Sequence, residues 1–512
     1  MEVSKDMWRT MLLPHLSRHT KQYITLIVVG TITYRIFNAI LVPRQLRHLP
    51  KASTIGWFWS VLKGESADVR CDRLLMPQMQ DHGLCLKYTM GRWTVAVGDP
   101  ILLQAVLRDV ATFPKEENVS LDPDLILTNN EPNVGNANHV EWKRQRRVTN
   151  PAFHRSMPVE KFARVVSSMF TALEGKTTVD FADYMKRYAL DCLGLGVFNF
   201  DMESVSDPAS VYAILYKEAF SIVRDPLVYL FPLYTAIPSR LIPYRNRARK
   251  ANEKLRRVLL EITQQRREAI LKGERPKEDD QEDLLSMMIR ASLPQQQGHD
   301  AQPYLTNGEL VANLSVFFVA GHETTASATA SMLYYLAVNP DIQEKARAEV
   351  ISVLGDAPMD IHPTLEQLRA MPYLNQCIKE TMRINPPTSG NLPRICTKDT
   401  YIGQFFIPKG TPLSMELYCT HRLEQYWTNA TTFNPDRALD TNWIPFGFGP
   451  RACLGMNFSM AEQRVVQAMM LRKYTWRLAA DSEHVHGIKN AGGGGISLLG
   501  PETLNLEIIP RY

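Results

Sequence analysis

Cysteine is scarce in this chain. Seven are spread over 512 residues: Cys71, Cys85, Cys192, Cys377, Cys396, Cys419 and Cys453. No two stand at zinc-finger spacing and their number is odd, which argues against a disulfide framework and suits a reducing compartment. A large excess of one charge is lacking too. A net charge of +5 over this length gives no reason to expect nucleic acid, and it fits contact with an acidic membrane surface or an acidic protein. Internal repeats are absent. The glycine run at 492–495 is not followed by the Lys-Ser/Thr of a phosphate loop, so a turn is the better reading.

What is present is an ordinary globular composition, 45% hydrophobic and 22% charged, enough for a large core. Residues 1–22 form an N-terminal segment. Residues 23–42 (YITLIVVGTITYRIFNAILV) are long enough to span a bilayer as a helix, and Arg35 and Asn38 lie towards one end, where a long side chain can snorkel. A basic, proline-containing linker at 43–51 follows, and no small-residue cleavage site does, so a retained anchor is expected. A helix lying on the membrane and a mitochondrial targeting sequence are the alternatives. From 52 to 512 the chain reads as one long mixed domain. Strands are expected at 86–97, 401–407, 412–418 and 495–509. Apolar residues at three-to-four spacing predict helices at 159–173 and 251–271. Residues 275–280 and 294–303 read as exposed loops. A helix over 307–338, closed by Asn339-Pro340, is apolar around much of its circumference and is expected to cross the centre of the protein. The fold class is therefore mainly α with a smaller β-rich lobe.

One cysteine has unusual neighbours. Residues 446–455 read FGFGPRACLG, fixing Phe446, Gly449, Arg451, Cys453 and Gly455 in a pattern that chance rarely assembles. Glycines let the backbone pass close beneath a flat macrocycle. Amides of the turn and of the helix predicted at 456–471 can point at the sulfur and lower its pKa, and Arg451 can neutralise a heme propionate. This stretch resembles the heme-binding loop of the cytochrome P450 monooxygenases, and the resemblance extends in order over about 100–512.

The resemblance implies the large, mostly helical P450 fold with heme b between the central helix and the Cys453 loop, and Cys453 as axial ligand to iron. A thiolate in that position pushes electron density onto iron and favours O–O cleavage. Ala320-Gly321-His322-Glu323-Thr324-Thr325 is similar to the family's oxygen-activation motif, with Glu323 and Thr324 as an acid–alcohol pair for the two protons that cleavage consumes. His322 is expected to be a core or surface residue rather than a ligand. Glu380-Thr381-Met382-Arg383 matches ExxR, whose spacing puts both charges on one helix face. With Arg437 the pair would form a structural triad, and Ala438 stands where the family usually has Phe. Trp142 and Arg146 match WxxxR and, with Arg394 and His139, would hold the propionates. Lys143, Arg144 and Arg147 would point elsewhere and form a basic docking face for an electron donor. Substrate contacts are implied at 114–138, 314–318, 388–392 and 496–499, mostly apolar, which suits a greasy substrate with one or two polar groups.

The function implied is insertion of one atom of O2 into a lipophilic substrate. The sequence holds no flavin or nicotinamide module, so the expected donor is an NADPH-dependent diflavin reductase, with cytochrome b5 as a further partner. The expected location is the endoplasmic reticulum membrane with the catalytic domain in the cytosol. The run at 142–156 resembles fungal microsomal members. Steroid or sterol, xenobiotic and secondary-metabolite substrates are all compatible. Two alternatives are an oxygen-independent heme-thiolate isomerase or dehydratase, which would not need Thr324, and a heme-based sensor, which would need neither Glu323 nor Thr324.

Overall fold

The computed structural model describes Tyr23 and residues 41–116, 131–155, 157–273, 283–293, 305–439, 441–492 and 498–512. The helices of nine residues or more among them are α1 (Thr54–Leu62), α2 (Pro100–Arg108), α3 (His139–Arg155), α4 (Val159–Leu173), α5 (Phe181–Leu193), α6 (Val211–Phe220), α7 (Pro243–Leu271), α8 (Leu284–Ser292), α9 (Asn307–Val338), α10 (Pro340–Leu354), α11 (Pro372–Ile384) and α12 (Met456–Lys473). The strands are β1 (Leu84–Thr89), β2 (Arg92–Val97), β3 (Thr178–Asp180), β4 (Arg394–Ile395), β5 (Thr400–Ile402), β6 (Phe405–Ile407), β7 (Pro412–Met415), β8 (Tyr474–Leu478) and β9 (Asn505–Pro510).

The central helix α9 opens on a capping box. The Thr306 side chain accepts the Glu309 amide, and the Glu309 carboxylate accepts the Thr306 amide. It ends at Asn339 because Pro340 cannot continue it and instead starts α10. Most of α9 is buried, and it packs along α5 closely enough that a Cβ on Gly321 would lie 2.9 Å from Leu193 Cδ1. A bond of 3.0 Å between the Thr325 and Ser459 hydroxyls joins α9 to α12. α7 begins at Pro243, eight residues before the apolar periodicity suggests, because its first turns carry arginines that hide the pattern.

The β-rich lobe has its own core. Its main sheet runs β1-β2-β7-β4, with β1 and β2 antiparallel (Leu84 opposite Val97), β2 and β7 parallel, and β4 and β7 antiparallel. Met90 and Gly91 close the hairpin, both at positive φ, as a tight two-residue turn requires. A second sheet runs β3-β9-β8, and β5 pairs with β6. Two predicted strands are shorter than expected. The one at 412–418 stops at Met415, because Glu416 gives its amide to Val97 O and the chain then turns into a short helix, Leu417–Thr420. Among the described residues, the one at 495–509 is limited to Asn505–Pro510, with two isolated bridges upstream, Thr388 to Leu498 and Asn490 to Pro501.

Several expectations lie outside the described residues: nearly all of the anchor at 23–42, substrate contacts at 117–130 and 496–497, the glycine turn beyond 492, and the whole of the loops at 275–280 and 294–303. No helix among the described residues is long and apolar enough to cross a membrane.

Candidate active site

The Cys453 loop is a tight hairpin. The Gly447 amide donates to Ile444 O (2.9 Å), Ala452 to Gly449 O (3.0 Å) and Cys453 to Phe446 O (2.9 Å). Gly447 and Gly449 have φ of +74° and +70°, conformations that cost any other residue, and a Cβ on Gly449 would also press on Leu107 O at 3.2 Å. Phe446 anchors the loop against the helical core, edge-on to Trp443. Arg146 Nη1 reaches across from α3 to Ala452 O at 2.9 Å. Six of the seven cysteines are buried, and Cys453 is the exposed one. Protein nevertheless surrounds its sulfur, so that burial pushes the thiol up while the Gly455 amide and the Arg146 guanidinium pull it back. A residue with an open surface inside dense protein lines an internal cleft. Gly455 has an ordinary φ, and a Cβ there would meet Cys453 Sγ only at 4.0 Å, so its use is the space it leaves beside the sulfur.

Nearby, positive groups converge with part of their donors unmet. The Arg451 guanidinium lies 4.0 Å over the Trp142 ring and gives Nη2 to Ala137 O (2.6 Å) and Asn138 Oδ1 (3.0 Å). Its Nε and Nη1 are buried with no acceptor, as are Trp142 Nε1 and Arg394 Nε. Arg394 spends Nη1 on Phe113 O (3.0 Å). Burial brings Arg394 down to about 10. Burial, then Arg394 and Arg146, brings Arg451 down to about 9. Lys115 joins them through its bridge to Arg394 in the sheet, and burial, then the charges of Arg394 and Arg451, holds its amine well below the usual lysine range. Among the described residues, no carboxylate offsets these three. Each buried donor left unmade costs about 1–3 kcal/mol, so the cluster fits a ligand bearing two carboxylates beside a flat ring, which is what heme b presents. Lys115 and Asn138 were not singled out from the sequence. His139 was, and it is exposed at the start of α3 at φ +46°, with no bond to the cluster. The backbone turn there swings His139 outward and leaves Asn138 to bind Arg451 and the Lys115 amide.

Along one face, α9 opens for three turns. Ala320 is exposed in the middle of this buried helix, and Val316, Thr324 and Ser327 are half-buried on the same face. Thr324 Oγ1 donates to Ala320 O at 2.7 Å, one turn back, and Glu323 beside it is buried. His322 points away into the packing, with Nε2 at 2.7 Å from Lys186 O and its ring edge-on to Tyr216 at 4.2 Å. The stretch at 388–392 presents half-buried Thr388, Gly390 and Asn391 and an exposed Leu392.

Glu380, Arg383 and Arg437 meet as one saturated cluster. Arg383 binds Glu380 in a fork (2.7 and 2.9 Å) and His421 O at 2.7 Å, and Arg437 Nε lies 3.4 Å from Glu380 Oε1, which also accepts the Asn434 amide. The basic docking face loses one member: Arg144 is paired in a fork with Glu309 at the start of α9, and Lys143 and Arg147 are the exposed ones. A separate cavity of about 260 Å3 between α7 and the start of α9 is lined by Glu131, Arg256, Arg267 and Asn307 among others, and of the stretches implied for substrate contact only 114–138 reaches it, through Glu131.

A mainly helical fold with one open thiol in a tight glycine loop and an opened face on its central helix has the features of the heme-thiolate class. The family described as Cytochrome P450 matches residues 55–498, and the chain belongs to it. As in its relatives, the activity is that of a monooxygenase. It is 27% identical to mouse cytochrome P450 3A13 over 98% of both chains. It is 28% identical to cytochrome P450 monooxygenase 205 of the fungus Postia placenta, over 67% of this chain and 70% of that one. The 11-oxo-beta-amyrin 30-oxidase of Glycyrrhiza uralensis is 26% identical over 76% and 75%. Among solved structures, the cytochrome P450DA heme domain superposes with a TM-score of 0.75 at 22% identity, covering 91% of this chain and 98% of that one.

Proposed function

We propose that this chain inserts one atom of O2 into a C–H bond or alkene of a lipophilic substrate, with electrons from an NADPH-dependent diflavin reductase and cytochrome b5 as a second donor. Steroids or sterols, xenobiotics and secondary metabolites are the candidate substrate classes. The observation that carries this reading is the opened face of α9, where Thr324 stands one turn from exposed Ala320 in an otherwise buried helix. Cys453 would hold the iron of heme b, and Trp142, Arg146, Arg394, Arg451 and Lys115 its propionates. Bound heme supplies dioxygen binding and reductive O–O cleavage. Thr324 holds a proton on its hydroxyl at the opened face, and Glu323 passes protons to it from solvent. Phe153, edge-on to Phe317 at 4.9 Å, helps keep the interior apolar and excludes water. Glu380, Arg383 and Arg437 keep the scaffold rigid and touch no reacting atom.

Association with the endoplasmic reticulum membrane, catalytic domain in the cytosol, is supported by an exposed apolar patch. Ile55 (74% exposed) and Trp59 (56%) lie one turn apart on α1, and Phe58 beside them packs on exposed Phe231. Contiguous patches of this kind mark contact surfaces.

The test is the carbon monoxide difference spectrum of the reduced protein, followed by turnover with reductase, NADPH and isotopically labelled dioxygen. A strongly red-shifted Soret band that is lost in Cys453→Ser, and one labelled oxygen in the product, are expected. A band typical of histidine-ligated heme in folded, heme-loaded protein would overturn the assignment of Cys453. Product formed without O2 would overturn the reaction.

A further inference from the structure

Far from the heme site in sequence, three side chains stand in a different catalytic order. Ser167 Oγ lies 2.8 Å from His362 Nε2, and His362 Nδ1 lies 3.1 Å from Glu160 Oε1. Glu160 and Ser167 are seven residues apart on α4, two turns along one face, and the imidazole bridges them. The tautomer with its hydrogen on Nδ1 satisfies both contacts: it donates to Glu160 and leaves Nε2 to accept from the Ser167 hydroxyl. Burial raises the Glu160 carboxyl, but the hydrogen bonds from His362 and Arg164 outweigh it and hold the group below its usual range.

The histidine is not on a loose loop. Arg472, buried, gathers the carbonyls of Gly355, Ala357 and Met359, and Lys473 pairs with Asp360 at 2.8 Å. Ile361 packs on the main core. The base is therefore held in place by the fold, and all three groups remain partly open to solvent. A structural clasp between α4 and this loop would need a bond to His362, but not the nucleophile–base–carboxylate order with each nitrogen matched to its partner.

We propose that Ser167, His362 and Glu160 form a second, heme-independent acyl-transfer site, with Ser167 as nucleophile, His362 as general base and Glu160 as positioning residue. Ser167 Oγ attacks the acyl carbon of an ester and its proton passes to His362 Nε2. The carbon–oxygen bond to the leaving group breaks, and the departing alkoxide takes that proton, leaving Ser167 acylated. The amides around Ser167 are spent on the helix, so Arg164, one turn away on the same face and 3.2 Å from Glu160, supplies the positive charge for the oxyanion. That modest stabilisation selects activated electrophiles, namely aryl esters and fluorophosphonates.

The experiment treats the full-length, heme-loaded protein with a biotinylated fluorophosphonate and maps the adduct by mass spectrometry. In that reaction the phosphorus–fluorine bond breaks and fluoride leaves with the serine proton. The expected adduct is on Ser167. His362→Gln should slow labelling roughly a hundredfold, Glu160→Gln should slow it less, and Ser167→Ala should abolish it, all with unchanged carbon monoxide spectra. No adduct on Ser167 in the unmodified protein, or equal labelling rates in His362→Gln, would overturn the proposal.

Discussion

Two clusters of buried arginine in this molecule differ in a way that separates scaffold from ligand site. Around Glu380 every charge is answered: Arg383 spends its donors on Glu380, His421 O and Thr432 O, and Arg437 caps the same carboxylate. Around Arg451 the reverse holds. Among the described residues, Arg451, Arg394 and Lys115 repel each other with no carboxylate between them, and four buried N–H positions have no acceptor, counting Trp142. A saturated cluster stabilises the fold by itself. An unsaturated one costs stability until an anion arrives, so its residues mark where a ligand belongs.

The largest effect that tests this contrast is on the saturated side. Arg383→Ala leaves Glu380, fully buried, with the Asn434 amide and, as its one counter-charge among the described residues, Arg437 at 3.4 Å. The expected loss is about 3–5 kcal/mol, read by denaturant unfolding. Arg451→Leu should do the opposite to the two readouts. Without heme its fold should be as stable as the unmodified protein or more so, because a repelling charge is gone. Heme should then escape to an excess of scavenging globin about ten- to a hundredfold faster, the worth of one charge-assisted hydrogen bond at about 1.5–3 kcal/mol. A fold destabilised as much by Arg451→Leu as by Arg383→Ala would erase the distinction.

Acid sharpens the same comparison. His421 sits in the saturated cluster, with Nε2 accepting the Ile444 amide at 3.0 Å. Burial, then the charge of Arg383, brings it from 6.5 down to about 3. The unfolded histidine therefore takes up a proton as pH falls below its ordinary value, and the folded one does not until about 3. The stability present at neutral pH is lost across that window, by about 2 kcal/mol at pH 5. Asp191, raised by burial to about 6, works in the opposite direction, so the measurement is the difference between the unmodified protein and His421→Gln at pH 7 and pH 5. An identical pH slope in both would remove His421 from the acid response.

The parts of the site that were legible in the sequence are those set by local spacing. Cys453, Arg451 and the two glycines at positive φ belong to one loop of ten residues, and Glu380 and Arg383 are one helical turn apart. The central helix was legible because its apolar circumference and the Asn339-Pro340 stop agree. What was not legible depends on chain segments that meet only in the fold. Lys115 reaches the cluster through a bridge to Arg394, 279 positions away. Arg144 finds its partner 165 residues on. The step from His139 to Asn138 turns on one backbone angle that periodicity does not reveal.

Thr324 gives the smallest effect on the fold and the sharpest one on function. Its hydroxyl donates only to Ala320 O within its own helix, a back-bond that adds little to helix stability. Thr324→Ala should therefore change stability by no more than about 0.5 kcal/mol and leave the heme spectrum and heme retention as they are. Ala320 is exposed on the same face, so the hydroxyl is the polar group lost from the opened part of α9. If it delivers protons there, NADPH electrons should appear as hydrogen peroxide several-fold more often per product formed. The check is simultaneous measurement of NADPH, peroxide and product with the reductase. Unchanged coupling would place Thr324 with Arg383, among residues that hold the fold, rather than with those that serve the reaction.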